Sequence, residues 1–265
     1  MAFDYSTIIV EQGADSVLTV TLNRPEAMNA FNTEMRREFA SLWSYVKQED
    51  SVHAVVLRAA PGRAFCTGAD SKVLDGVLGS DNIWSQVDPG EQLGPKQNKC
   101  WKPVVAAVHG MAAGGAFYWI NECDIVICSE DATFFDPHVT YGAVSALEPI
   151  GTTYRAPLGD VLRMALLGND ERIGALTALR IGLVTEVAPL EALWPRAHEL
   201  AATIAAKPPA AIQGTVRAIW ESLDVTRSVA LQIGLKYCQL GNPVGMAQVD
   251  REALLKKRDR KFNVR

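Results

Sequence analysis

The chain has 265 residues, 48% of them hydrophobic and 21% charged, with a formal net charge of −4 at neutral pH. That is enough apolar material for a large core, and the balanced charge excludes a disordered chain or a uniformly basic nucleic-acid binder. No apolar run approaches the roughly 20 residues that span a bilayer, so no membrane partner is expected. The start Met1-Ala2-Phe3-Asp4-Tyr5 lacks the charged and apolar stretches of a secretion signal, and the expected setting is cytoplasmic. The five cysteines, Cys66, Cys100, Cys123, Cys128 and Cys238, form no Cys-x-x-Cys pair, which disfavours a disulfide framework and a zinc site alike.

Ser6 to Val10 and Val17 to Leu22 carry the apolar pattern of two strands, joined as a hairpin around Gly13-Ala14-Asp15. Asn32 is placed to cap a helix whose Met35, Phe39, Leu42, Trp43 and Val46 fall on one face. Ala54 to Leu57 reads as a strand that runs into Arg63-Ala64-Phe65-Cys66-Thr67-Gly68-Ala69-Asp70, where small residues leave backbone exposed. The polar stretch Asn82 to Asn98, punctuated by Pro89-Gly90 and Gly94-Pro95, reads as a loop or short helix. Val104 to Val108 is a further strand with a small-residue exit, Gly114-Gly115-Ala116, and Ile125 to Cys128 is another. Helical periodicity dominates after Pro157. Beyond Lys207-Pro208-Pro209 three helices are expected, Ala210 to Leu223, Val225 to Leu240 and Pro243 to Lys257.

The two small-residue exits leave N–H groups that no bulky side chain covers, and together they can aim two amides at one oxygen. Such a pair of preorganised donors is how a backbone makes an oxyanion hole. Here the chain resembles the crotonase, or enoyl-CoA hydratase/isomerase, superfamily. The resemblance runs through Leu22-Asn23-Arg24-Pro25-Glu26-Ala27-Met28-Asn29-Ala30-Phe31, both glycine segments, and Leu166-Leu167-Gly168-Asn169-Asp170 with Ala178-Leu179-Arg180-Ile181-Gly182-Leu183-Val184. It extends to the basic C-terminus.

The resemblance implies an α/β fold, a crotonase-like ββα spiral over residues 1–207, followed by a C-terminal helical oligomerisation region over 208–265. It implies assembly as a homotrimer or homohexamer, with an acyl-CoA as substrate and no cofactor beyond that coenzyme A thioester. By position, the amides of Ala69 and Gly115 match the pair that binds the thioester oxygen and stabilises the enolate. Substrate contacts are expected from Arg24, Ala27, Arg63, Gly68, Lys72 and Gly114, with Asp70 fixing its loop and Lys257 and Phe262 reaching the coenzyme from the basic tail. Glu26 stands where the family often has a basic residue. Ile83, Trp84 and Leu93 either face the acyl tail or pack within their loop.

The family's hydratases carry one glutamate after the glycine turn and a second beyond the next strand; the matching positions here hold Tyr118 and His138. An imidazole titrates near neutrality and exchanges protons with carbon or water, so His138 is assigned a catalytic or substrate-orienting role. Tyr118 is either a hydrogen-bond donor to the acyl group or water, or pocket packing; a phenol is a poor base at neutral pH. Asp136 and Glu148 are either partners that fix the His138 tautomer or local caps. The expected activity is therefore that of an enoyl-CoA hydratase-like lyase lacking both usual glutamates. An isomerase or hydrolase with the same oxyanion hole, and a noncatalytic acyl-CoA-binding protein, are the alternatives. No nucleic-acid partner is expected, because the net charge is negative and the basic tail lacks interleaved aromatics.

Overall fold

A computed structural model of the chain describes residues 3–70, 84, 87–252 and 264. It divides into two units, Met1–Ala206 and Lys207–Arg265. In the first unit, β1 (Ile8–Gln12) and β2 (Val17–Leu22) form an antiparallel hairpin with Ile8 opposite Leu22. The Gly13 amide closes the turn on the Val17 carbonyl at 2.9 Å. The chain then adds β3 (Ala54–Ala59), β4 (Ala64–Cys66), β5 (Val104–Val108), β6 (Met111–Ala113), β7 (Ile125–Ser129) and β8 (Thr133–Phe135), and later β9 (Ile173–Gly174) and β10 (Glu186–Ala188).

Two sheets result, one ordered β1-β2-β3-β5-β7-β10 and the other β4-β6-β8-β9. The strand pairs β3 and β4, β5 and β6, β7 and β8 each place one strand in the large sheet and the next in the small one, parallel to the strand already there. Parallel neighbours need long crossovers, and the repetition of two short-linked strands followed by a crossover is a ββα spiral.

The apolar run of β5 lies between β3 and β7 and is buried on both faces, as a central parallel strand requires. Val104, Ala106 and Val108 pack into the core shared with the helix Thr33–Gln48, while Val105 and Ala107 meet Leu193, Ala197, Ala201 and Ala205 of the helix Leu190–Ala205. The Asn32 side chain caps Thr33–Gln48 by accepting from the Met35 amide at 2.9 Å. Met35, Phe39, Leu42, Trp43 and Val46 are all buried, each contributing roughly 1.5–3 kcal/mol of hydrophobic stabilisation. Glu38 is buried on the same helix, and its carboxylate accepts from the amides and hydroxyls of both Ser6 and Thr7, so a buried charge is fully partnered.

Leu93 takes the packing role of its two expected ones. It has no exposed surface, and its carbonyl accepts the Trp43 indole N–H at 2.8 Å, so it is a core residue rather than an acyl contact. Trp84 is 90% exposed, and Ile83 lies outside the described residues. Cys66, Cys100, Cys123 and Cys128 are buried free thiols and Cys238 is an exposed one. Among the described residues no helix is long and apolar enough to cross a membrane.

The second unit is built on the helices Pro209–Glu221 and Arg227–Ala247. The expected break before Pro243 does not occur: the second helix runs through it. The proline removes one backbone donor, but tertiary packing overrides that cost. Gly245, one turn inside the helix end, lies so close to the first helix that a Cβ on it would meet the Ala211 Cβ at 3.2 Å. The end of the third expected helix, at Lys257, lies outside the described residues.

Candidate active site

The site forms where the spiral brings two strand exits together. β4 ends at Cys66 and β6, its parallel neighbour, ends at Ala113, followed by a 3-10 turn Gly114–Ala116 and the short helix Phe117–Glu122. Gly68 has a φ of +93°, and a Cβ there would sit 3.1 Å from the Gly115 nitrogen and 3.2 Å from the Ala113 carbonyl oxygen. Only glycine supplies both that backbone angle and that closeness. The two glycine segments are therefore in backbone contact, although about 45 residues separate them.

Phe31 braces both segments. Its N–H donates to the Gly68 carbonyl at 2.9 Å and its carbonyl accepts from Asp70 N–H at 2.8 Å. Backbone groups alternate in direction along an extended chain, so the intervening Ala69 N–H points away from Phe31. The Phe31 ring lies against Gly115, where an added Cβ would meet its Cε1 at 2.4 Å. Gly115 itself is in the first turn of its helical segment, where N–H groups have no intrahelical partner. The Cys66 sulfur accepts the Gly68 N–H at 3.3 Å, and burial pushes its thiol up to about 12, which makes it a loop support and not a nucleophile.

β8 delivers the polar side of the site. Asp136, fully buried, follows directly; its Oδ1 accepts from His138 Nδ1 at 2.6 Å and from the His138 amide at 3.0 Å, and its Oδ2 accepts from the Ser145 hydroxyl at 2.8 Å. These bonds fix the imidazole. Its Nε2 is turned toward Glu148, 3.8 Å from Oε1, and its Cε1 lies 3.6 Å from where a Cβ on Gly114 would sit. His138 is thus beside the glycine turn, as its sequence position suggested.

The hydrogen bond to Asp136 holds the His138 imidazolium above the ordinary histidine range, overcoming burial, which works the other way. Burial opposes ionisation of Asp136, but the donors from His138 and Ser145 together keep its carboxyl below the usual range. Glu148 is raised, because burial outweighs the pull of His138. Tyr118 is buried, and burial with the nearby Glu148 and Asp88 carboxylates raises its phenol. Its hydroxyl donates to Asp88 Oδ1 at 2.6 Å, so its proton is already committed within the protein.

The remaining expected contacts fall in several places. Arg24 donates to Asp70 at 2.9 Å and to the Ala30 carbonyl at 2.5 Å, which ties the first motif to the second. Ala27 is half-buried in the turn Pro25–Ala27, and Arg63 is exposed. Lys72, Lys257 and Phe262 lie outside the described residues. Asp136, His138 and Glu148 offer ligand atoms within 4.8 Å of one another, the one such set among the described residues. With Nδ1 given to Asp136, only His138 Nε2 and a Glu148 oxygen face a common point, fewer donors than a zinc site needs.

Sequence reasoning missed the bracing by Phe31, the Asp88 acceptor for Tyr118 and the Ser145 donor to Asp136. Phe31 closes a motif that was recognised, so its position carried a signal; Asp88 stands 30 residues from Tyr118 in a loop with no pattern.

Residues 12–242 match the enoyl-CoA hydratase/isomerase family. The chain is 32% identical over 227 residues to (E)-benzylidenesuccinyl-CoA hydratase of Thauera aromatica, covering 86% of each chain. It is 31% identical over 233 residues to the mitochondrial Delta(3,5)-Delta(2,4)-dienoyl-CoA isomerase of Mus musculus, covering 80% of this chain and 68% of that one. A crystal structure of an enoyl-CoA hydratase/isomerase from Mycobacterium paratuberculosis matches with a TM-score of 0.87 at 33% identity, over 99% of this chain and 100% of that chain. Proteins named hydratase and isomerase are thus both similar to this chain, and a shared fold does not by itself fix the reaction.

Proposed function

The chain belongs to the enoyl-CoA hydratase/isomerase family, and from that premise we propose that it adds water to an enoyl-CoA, with the Ala69 and Gly115 amides as oxyanion hole and His138 as base. The observation that carries this reading is the Asp136–His138 pair, closed at Nδ1 by a 2.6 Å bond and set against Gly114. Asp136 keeps the proton on Nδ1, so the Nε2 lone pair is the one that accepts a proton from water. The water oxygen bonds to the β-carbon, and the π electrons move into the thioester as an enolate. Negative charge then grows on the thioester oxygen, where two preorganised N–H donors stabilise it more than they stabilise the substrate. Protonation of the α-carbon completes the addition.

The test is a mass-spectrometric screen of short, medium and branched enoyl-CoA and acyl-CoA thioesters. Gain of one water on an enoyl-CoA is the expected result. Release of free coenzyme A would replace the reading by a hydrolase, and a moved double bond at constant mass by an isomerase; saturable binding without any product would leave a binding protein.

A pH prediction follows from the Asp136 contact. A basic His138 must be neutral, so the rate should rise with pH through a value above that of an ordinary imidazole. Asp136→Asn should move that limb to lower pH, because the largest raising influence is gone, and should lower the plateau through loss of the fixed tautomer. A pH–rate profile of both proteins checks it, and an unmoved limb would remove His138 from the titration.

The reading extends to assembly and setting. The Lys207–Arg265 unit exposes Leu231, Leu235 and Leu240, apolar surface suited to self-association as a trimer or hexamer. The free buried thiols suit a reducing cytoplasm.

A further inference from the structure

We propose that Glu148 is the second acid–base group of this site: it grips the reacting water together with His138 Nε2 and supplies the proton that goes to the α-carbon. This rests on the hydration reading above. The separation of His138 Nε2 and Glu148 Oε1, 3.8 Å, is too long for a direct hydrogen bond. It is well under twice a hydrogen-bond length of roughly 2.8 Å, so one oxygen atom can contact both groups at once. A water there gives one O–H to Nε2 and the other to the carboxyl.

The Glu148 carboxyl is sparsely held: it takes a backbone bond from its own N–H and faces the His138 ring. Its side chain is 8% exposed, yet among the described residues no other side chain hydrogen-bonds to it. The structural bonds go to its backbone carbonyl, which accepts from Asn121 Nδ2 and Thr152 Oγ1, each at 2.8 Å. Glu38, comparably buried, shows the contrast, since four donors from Ser6 and Thr7 hold its carboxylate. A buried carboxyl without such donors costs stability. Burial also raises the proton affinity of Glu148, with His138, Asp136, Asp88 and Tyr118 the titratable groups around it.

The protons balance. His138 Nε2 takes one proton from water as the O–Cβ bond forms and the C=C pair becomes the enolate. The Glu148 carboxyl O–H then breaks, and its proton forms the new Cα–H bond as the enolate collapses to the thioester. The His138 proton returns to the Glu148 carboxylate through the next water. Net, one water has added across the double bond and both side chains are restored.

The roles separate experimentally. Wild type, Glu148→Gln, Glu148→Asp and His138→Ala are compared for hydration of the enoyl-CoA found in the screen and for α-hydrogen exchange of the saturated acyl-CoA in D2O. Glu148→Gln should lose both reactions by about 10²-fold or more while still binding the saturated acyl-CoA, and Glu148→Asp should recover part of each. His138→Ala should lose hydration but still exchange the α-hydrogen at pH values where Glu148 is ionised, because the Glu148 carboxylate and the oxyanion hole suffice to remove it. Hydration by Glu148→Gln at the wild-type rate, or exchange at the wild-type rate, overturns the assignment while leaving His138 hydration in place. Absence of hydration in the wild type removes the parent reading, and this one with it.

Discussion

Replacing His138 by alanine is expected to lower kcat for the hydrated substrate by about 10²–10⁴-fold, the usual contribution of a positioned acid–base group. Substrate affinity should change little. The ring is anchored by Asp136 and sits beside Gly114, so its loss leaves the backbone of both glycine segments in place. The low-pH limb of the rate profile assigned to His138 should vanish with it. Single-turnover rates and equilibrium binding of the saturated acyl-CoA measure the two effects separately. Turnover at the wild-type level would show that His138 is a structural histidine and would leave the Asp136 bond as a loop clasp.

Gly68→Ala is expected to damage both stability and chemistry. At a φ of +93° an L side chain is strained, with a cost of about 1–3 kcal/mol. The new methyl also has nowhere to go, being 3.1 Å from the Gly115 nitrogen and 3.2 Å from the Ala113 oxygen, both backbone atoms of the neighbouring strand exit. Relief requires the two exits to part. That movement displaces the very amides proposed to hold the thioester oxygen, and the loss of one such donor typically lowers kcat by about 10²–10³-fold. Gly62→Ala is the matched control: the nearest atom to its added Cβ is 3.7 Å away, on Pro25. Thermal unfolding together with kcat for both variants gives the test. A Gly68→Ala protein that is less stable but turns over normally would separate the glycine contact from catalysis.

Local patterns in the sequence were read with little loss. The single apolar face of the helix after Asn32 and the apolar run Val104 to Val108 each encode their own burial, because a residue's face follows from its position in a strand or helix. The glycine segments were visible for a related reason: small residues after an apolar strand leave backbone uncovered wherever the strand goes. His138 and Tyr118 stood out as departures from a familiar pattern. Pro243 misled because the local cost of proline is real, but close packing between the two helices of its unit outweighs it. Leu93 stayed open between acyl contact and packing because its polar loop has no periodic pattern, and only the contact with Trp43, 50 residues earlier, draws it into the core.

What the sequence by itself determined is the inventory: two small-residue strand exits, a histidine and a tyrosine close behind them in the chain, and an α/β alternation of strands and helices. Tertiary structure decided the couplings. Gly68 meets Gly115 only because β4 and β6 are parallel neighbours, Phe31 serves both because its strand-like bridge crosses the gap, and Glu148 meets His138 only after the chain turns through Tyr141 and Ser145. Each coupling joins residues whose separation along the chain leaves no periodic trace. Distances of a few ångströms between such residues arise from packing the two sheets and their crossovers around one core, and hydrogen-bond and charge energies depend on those distances.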